Sequence, residues 1–262
     1  MPGADLVVFG NAAAARDGLT AMPVNTGEDF YNTIAVNQLE IPQDMVLRAA
    51  GLFTSTIANL LQWRLHRTDE SNWNDFGTWG MRDDGVGFPT DYPVLMTKPL
   101  PKGSKLACEA NNTNNAQVDN ILMFLSKGME PLTFGNQWRS QHMEKGYEPF
   151  RFTGGTTLVA GVLGDVPLTA ITFDPEPKGI YHIAGATGID ATGGGGRMKH
   201  RLGGTQNVRP GFLVGDDALP NCSTVTWQDF GRFTGDQYPI IQHLSSTAVT
   251  AEEYLFWIKQ VA

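Results

Sequence analysis

Pro101-Lys-Gly-Ser-Lys-Leu-Ala-Cys-Glu-Ala110, then Asn111-Asn-Thr-Asn-Asn115, then Gln117-Val-Asp-Asn-Ile-Leu-Met-Phe-Leu125 is the stretch on which the fold turns. Two runs with apolar residues flank a connection dense in asparagine, a residue that bonds its own backbone and tolerates turn geometry. The pattern therefore predicts strand, tight connection, strand.

Working outward, the same rhythm recurs. Thr157–Leu163, Leu168–Phe173, Gly179–Ala186, Arg197–Leu202 and Ser223–Trp227 read as a strand series, with turn chemistry at Asp174-Pro-Glu-Pro-Lys-Gly179 and Arg209-Pro-Gly211 between them. Upstream, Phe30–Leu39 reads as a strand closed by Ile41-Pro42, since proline cannot donate to a ladder. Met45–Thr56 supplies another strand, and Ile57–Leu65 is ambiguous between a short helix and a strand. At the C-terminus Thr250-Ala-Glu-Glu253 matches a helix capping box. The aromatic and β-branched run Tyr254-Leu-Phe-Trp-Ile258 instead suits a buried strand, and the strand is the reading preferred.

The fold class expected is all-β, a β-sandwich with long loop insertions and an extended N-terminal arm. Residues 1–29 form the arm, with glycines, Pro23 and an alanine run at Ala12–Ala15. Residues 30–262 form a single sandwich domain, interrupted by irregular stretches at 68–92 and 128–150 that are too long for ordinary connections. The second stretch reads as a crossover or a domain boundary.

Composition narrows the function. Charged residues are 18% of the chain against 41% apolar, enough to bury a core while leaving a weakly charged surface for neighbours to cover, which points to an oligomer. A formal charge of −8 argues against duplex binding by the surface as a whole. Cys108 and Cys222 stand far apart and outside any CxxC pattern, so buried free thiols are expected rather than a zinc site or a disulfide scaffold. The N-terminal sequence lacks the basic and apolar regions of a signal peptide, and no run reaches the ~20 apolar residues of a membrane helix; synthesis in the cytoplasm is the expectation.

No motif carries catalysis. The histidines His66, His142, His182, His200 and His243 are isolated in sequence, and no nucleophile elbow, P-loop or dinucleotide fingerprint is present. No catalytic residue, metal or cofactor is expected. Two features remain. In the 68–92 loop, Trp73, Phe76 and Trp79 offer aromatic anchors for a subunit interface, or, with Asp69, Glu70, Asp75, Asp83 and Asp84 nearby, rings that stack on a glycan. After the glycines Gly193–Gly196, the residues Arg197, Lys199 and Arg201 share one face of a strand at period two. That basic face suits an acidic neighbouring subunit, nucleic acid or anionic lipid.

Leu100–Asn112 with Val118–Leu125, and Arg209-Pro-Gly-Phe-Leu-Val-Gly215, resemble the capsid proteins of tailless icosahedral viruses of bacteria and archaea, which are jelly-roll virion proteins. The resemblance covers about half the chain and is one of pattern. It implies an eight-stranded jelly-roll sandwich that self-assembles into trimers or pseudo-hexamers, in the virion, with copies of itself and other virion proteins as partners. The chain is short for two jelly rolls, so one with insertions is expected. The alternative is a carbohydrate-binding or glycan-cleaving sandwich, such as a receptor-binding spike, working through the 68–92 loop.

Overall fold

Along Glu252–Gln260 the side chains sort by parity. Tyr254, Phe256 and Ile258 join one buried cluster, while Leu255 and Trp257 between them pack in another. Period-two segregation of this kind is what a pleated strand enforces, and it makes this segment the strand expected over the helix that its capping box allowed.

The computed structural model describes residues 4–11, 16–22, 24, 32–35, 37–53, 59–69, 78–83, 94–112, 119–129, 132–134, 144–154, 157, 164–190, 198–202, 210–216, 225–244 and 252–262. Among these, every regular element is a strand, so the fold is all-β, as expected. The chain separates into two compact units, residues 7–128 and residues 129–262 together with 1–6. The single domain expected over 30–262 is thereby corrected: the break falls at the start of the irregular 128–150 stretch.

Among the described residues eight strands of the first unit follow in chain order, the first of them beginning two residues ahead of it: Asp5–Asn11, Arg16–Ala21, Met45–Phe53, Asn59–Arg67, Thr78–Asp83, Val94–Leu100, Lys105–Asn112 and Asp119–Ser126. Numbered in that order, one sheet runs first, eighth, third, sixth, and the other runs second, seventh, fourth, fifth. This interleaving of two Greek keys is the jelly roll. A short hairpin, Asn32–Ala35 with Gln38–Glu40, is inserted after the second strand and adds to the same edge of the seventh. Phe30–Leu39 was expected as one strand; Asn32–Ala35 and Gln38–Glu40 are instead two strands that pair antiparallel, Thr33 opposite Leu39. Asn59–Arg67 resolves its ambiguity as a strand, paired with the seventh strand from Leu61 to Arg67.

Both halves of the opening stretch are strands, but they are not partners. Lys105–Asn112 pairs with Asn59–Arg67, whereas Asp119–Ser126 pairs with Met45–Phe53 in the other sheet. Both runs are buried, at Leu106, Ala107 and Cys108 and from Met123 to Ser126, so either could have joined either sheet by pattern alone.

The second unit repeats the order. The strands of its roll are Glu148–Gly154, Gly164–Val166, Ile180–Asp190, Met198–Leu202, Gly211–Asp216, the pair of short segments Thr226–Trp227 and Arg232–Thr234, then Ile241–Leu244 and Glu252–Gln260, with Thr133–Phe134 paired to Thr226–Trp227. Again the first, eighth, third and sixth lie side by side, and so do the second, seventh, fourth and fifth. A parallel contact from Gly188–Asp190 to Val214–Asp216 joins the third strand to the fifth, and Leu168–Ala170 adds to the outer edge of the first. The chain therefore holds two jelly rolls in series where one was expected. Two fit because the strands are short, mostly three to nine residues, and a roll of such strands closes a core well within the size of an ordinary small domain.

The core of the second roll is aromatic. Phe152, Phe173, Tyr181, Phe212, Phe230, Tyr254 and Phe256 are buried together with Val166, Ile183, Ile241 and Ile258. Ring pairs such as Phe173–Tyr181, 5.1 Å apart at 83°, take the edge-to-face geometry that ring quadrupoles favour.

Within the stretch expected as an arm, Ala4–Leu6 count with the second unit. Gly211 N–H donates to the Ala4 carbonyl at 2.9 Å, Ala4 N–H donates to Gln228 Oε1 at 2.5 Å, and Gln228 Nε2 returns to the Gly211 carbonyl at 2.5 Å. One buried glutamine side chain thus satisfies both an end of the chain and an inner strand.

Candidate functional site

Of the residues singled out in the sequence, Trp73, Phe76 and Arg197 lie outside the described residues, as does most of the 68–92 loop. Trp79 falls in the Thr78–Asp83 strand, its backbone opposite Trp63. Lys199 and Arg201 fall in the Met198–Leu202 strand. That strand is central: Lys199 stands between Leu213 and Leu244, and Arg201 between Gly211 and Gln242.

Among the described residues one polar constellation was announced by no linear motif. On the outer face of the second roll, three adjacent strands put Arg232, His182 and Lys259 in register, His182 opposite both of the others. Directly opposed residues share a face of the sheet. The next position in register, Tyr181 opposite Phe233, faces the core, the two rings stacked 5.6 Å apart, so the Arg232–His182–Lys259 row faces out.

Two turns complete the site. Gly146, at φ 81°, bends the chain into Tyr147, whose hydroxyl lies 2.6 Å from His182 Nδ1 and whose ring meets the imidazole edge-on at 5.7 Å. Asp229 Oδ1 lies 2.9 Å from His182 Nε2 and also accepts from Gly231 N–H at 2.8 Å, an Asx turn that Gly231 closes at φ 91°. Lys259 Nζ donates to the Lys145 carbonyl at 2.6 Å and stands 6.0 Å from the centre of the Tyr147 ring. Beneath lie Trp227 and Trp257, both buried, with rings 4.9 Å apart; Tyr147 packs on that cluster.

The electrostatics assign the protons. Burial pushes the Asp229 carboxyl up, but the hydrogen bonds from His182 and Gly231 and the charge at His182 outweigh it, and the group is held below the ordinary carboxylate value. An ionised carboxylate only accepts, so Nε2 carries a hydrogen, and in the neutral imidazole Nδ1 accepts from the Tyr147 hydroxyl. Burial first and the Asp229 charge second push the Tyr147 phenol up, with Arg232 opposing. A phenol held in its protonated form is a hydrogen-bond donor and a poor nucleophile.

The sequence signals for this site were slight. Tyr147, His182, Asp229, Arg232 and Lys259 come from four separate segments; only Asp229-x-Gly231 had a local turn signature, and the register that aligns the rest is tertiary.

Among the described residues no group of three or more His, Cys, Asp or Glu could hold a metal ion, and no helix is long and apolar enough to cross a membrane. The described cysteine, Cys108, is a free buried thiol, pushed well up by burial.

No family model matches the chain, and no curated protein matches it. Among solved structures it is similar to the vicilin of Corylus avellana (hazelnut), at 7% identity and a TM-score of 0.21 over 97% of this chain and 87% of that one. It is also similar to the N-terminal CBM22-1-CBM22-2 tandem domain from Paenibacillus barcinonensis Xyn10C, at 8% identity and a TM-score of 0.17 over 100% and 92%. Likeness at that level carries no argument, and the class of protein rests on the strand order: a tandem of two jelly rolls.

Proposed function

We propose that this chain is a virion structural protein, a major or minor capsid protein that works by assembling with copies of itself and with other virion proteins. The observation that carries the reading is the repeat of one strand order in two rolls of a single chain. A tandem roll puts two blocks of one strand order into a single subunit, so that fewer subunits are needed to tile a surface.

Composition supports it. With 18% charged residues and large apolar side chains exposed at Leu95, Met129, Ile171, Ile180, Ile240 and Val261, the surface has material for neighbours to cover. The sequence resemblance to jelly-roll capsid proteins points the same way.

The test is the assembly state. Purified protein, followed by light scattering and electron microscopy across concentration and salt, forms defined trimers, rings or shells, each contact burying on the order of 2,000 Å². A strictly monomeric species under all conditions overturns the reading.

A further inference from the structure

We propose that the outer face of the second roll carries a proton-gated oxyanion site, in which Arg232, Lys259 and the Tyr147 hydroxyl receive a carboxylate, phosphate or sulfate group and His182 sets the strength of binding.

The row supplies the charge. Arg232 and Lys259 flank His182 across three strands, both are exposed, and the carboxylate that touches the row is Asp229. With His182 neutral the row carries one net positive charge, on a chain whose formal charge is −8. Arg232 and Lys259 stand on the strands to either side of His182, so an oxyanion seated over the imidazole meets both charges. Arg offers a planar fork matched to two oxygens, and Lys a point charge with hydrogens to spare beyond the one given to Lys145.

Histidine supplies the gate. In the neutral imidazole the Tyr147 O–H is spent on Nδ1. When a proton from solvent binds Nδ1, that nitrogen becomes a donor, the phenolic oxygen accepts from it, and the O–H must turn away. Protonation therefore does two things together: it adds a second net charge to the row and releases the hydroxyl hydrogen that Nδ1 had accepted. Asp229 keeps its bond to Nε2–H in both states, so the ring is held in place while its charge changes. The groups facing the imidazole are Tyr147 from the segment before the first strand, Asp229 and Arg232 from the sixth, and Lys259 from the eighth.

Sulfate is the probe, because its charge is constant from about pH 5 to about pH 8. Calorimetric titration of the intact chain, in whatever oligomer it forms and at fixed ionic strength in chloride, reads binding about five- to tenfold tighter at about pH 5.5 than at about pH 8. Arg232→Gln with Lys259→Gln, both exposed positions that leave the core alone, abolishes binding at both pH values. Tyr147→Phe keeps the ring but removes the donor, so binding persists and its rise in acid shrinks. Titration with acetate separates recognition of a carboxylate from that of a tetrahedral oxyanion; binding of either supports the site. No saturable heat with either anion, equal affinity at both pH values, or binding undiminished in the double variant overturns the proposal. The outcome is independent of the assembly state, so failure here leaves the capsid reading untouched.

Discussion

Phe212 is fully buried and meets Phe230, Tyr254 and Phe256 edge-on, with ring centres 5.8 to 6.4 Å away. Its removal leaves a cavity between two sheets that cannot both collapse onto it. Phe212→Ala is therefore expected to cost about 3–5 kcal/mol, read from the midpoint of denaturant unfolding. Gly185 shows the opposite constraint, since a Cβ there would stand 2.5 Å from the Trp227 ring. Gly185→Ala is expected to destabilise by roughly 1–3 kcal/mol and to shift tryptophan emission as Trp227 moves off its seat. At Asp229 the consequence is pH dependence. Its folded-state carboxyl lies below the ordinary value, so its stabilisation is complete above the unfolded value of about 3.9 and is lost as pH falls through the lower folded value. Asp229→Asn should be less stable than wild type at neutral pH, with the gap closing in acid below about pH 4. A gap that stays constant down to about pH 2 would contradict this assignment.

Strand identity and strand partnership separate at the scale of elements. Lys105–Asn112 and Asp119–Ser126 were legible as strands from their apolar residues and bounding turns, yet they enter different sheets. Adjacent runs pair by default, and nothing in the connecting asparagines says otherwise. What overrides that default is the interleaved wrap of the roll, in which the seventh and eighth strands lie across the sandwich from each other. The segment Ala4–Leu6 behaves likewise. Low periodicity marked it as part of an arm, while its anchor lies in the buried side chain of Gln228, 224 residues away. Gln228→Ala leaves the Ala4 N–H and Gly211 carbonyl unmet by that side chain, and is expected to cost about 1–3 kcal/mol. Hydrogen exchange would show accelerated loss at Ala4 while the Glu252–Gln260 ladder stays protected; equal exchange in both proteins would show that the anchor does not hold the segment.

For the whole molecule, two compact units predict two cooperative events. Calorimetry of the full chain should give a van't Hoff enthalpy below the calorimetric one, and Phe212→Ala should lower only the transition of the second roll; a single two-state transition shared by both rolls would contradict this. Apolar residues at period two, cut by glycine, proline and asparagine, determined by themselves that the chain is all-β and where most strands lie, because pleat geometry is local and written residue by residue. The number of rolls, the sheet each strand joins, and the meeting of Tyr147, His182, Asp229, Arg232 and Lys259 were decided only in the tertiary structure. Those outcomes depend on which backbone edges pair across tens to more than a hundred residues. An edge offers the same N–H and C=O groups to every strand of suitable length, so closure of the two cores makes the choice.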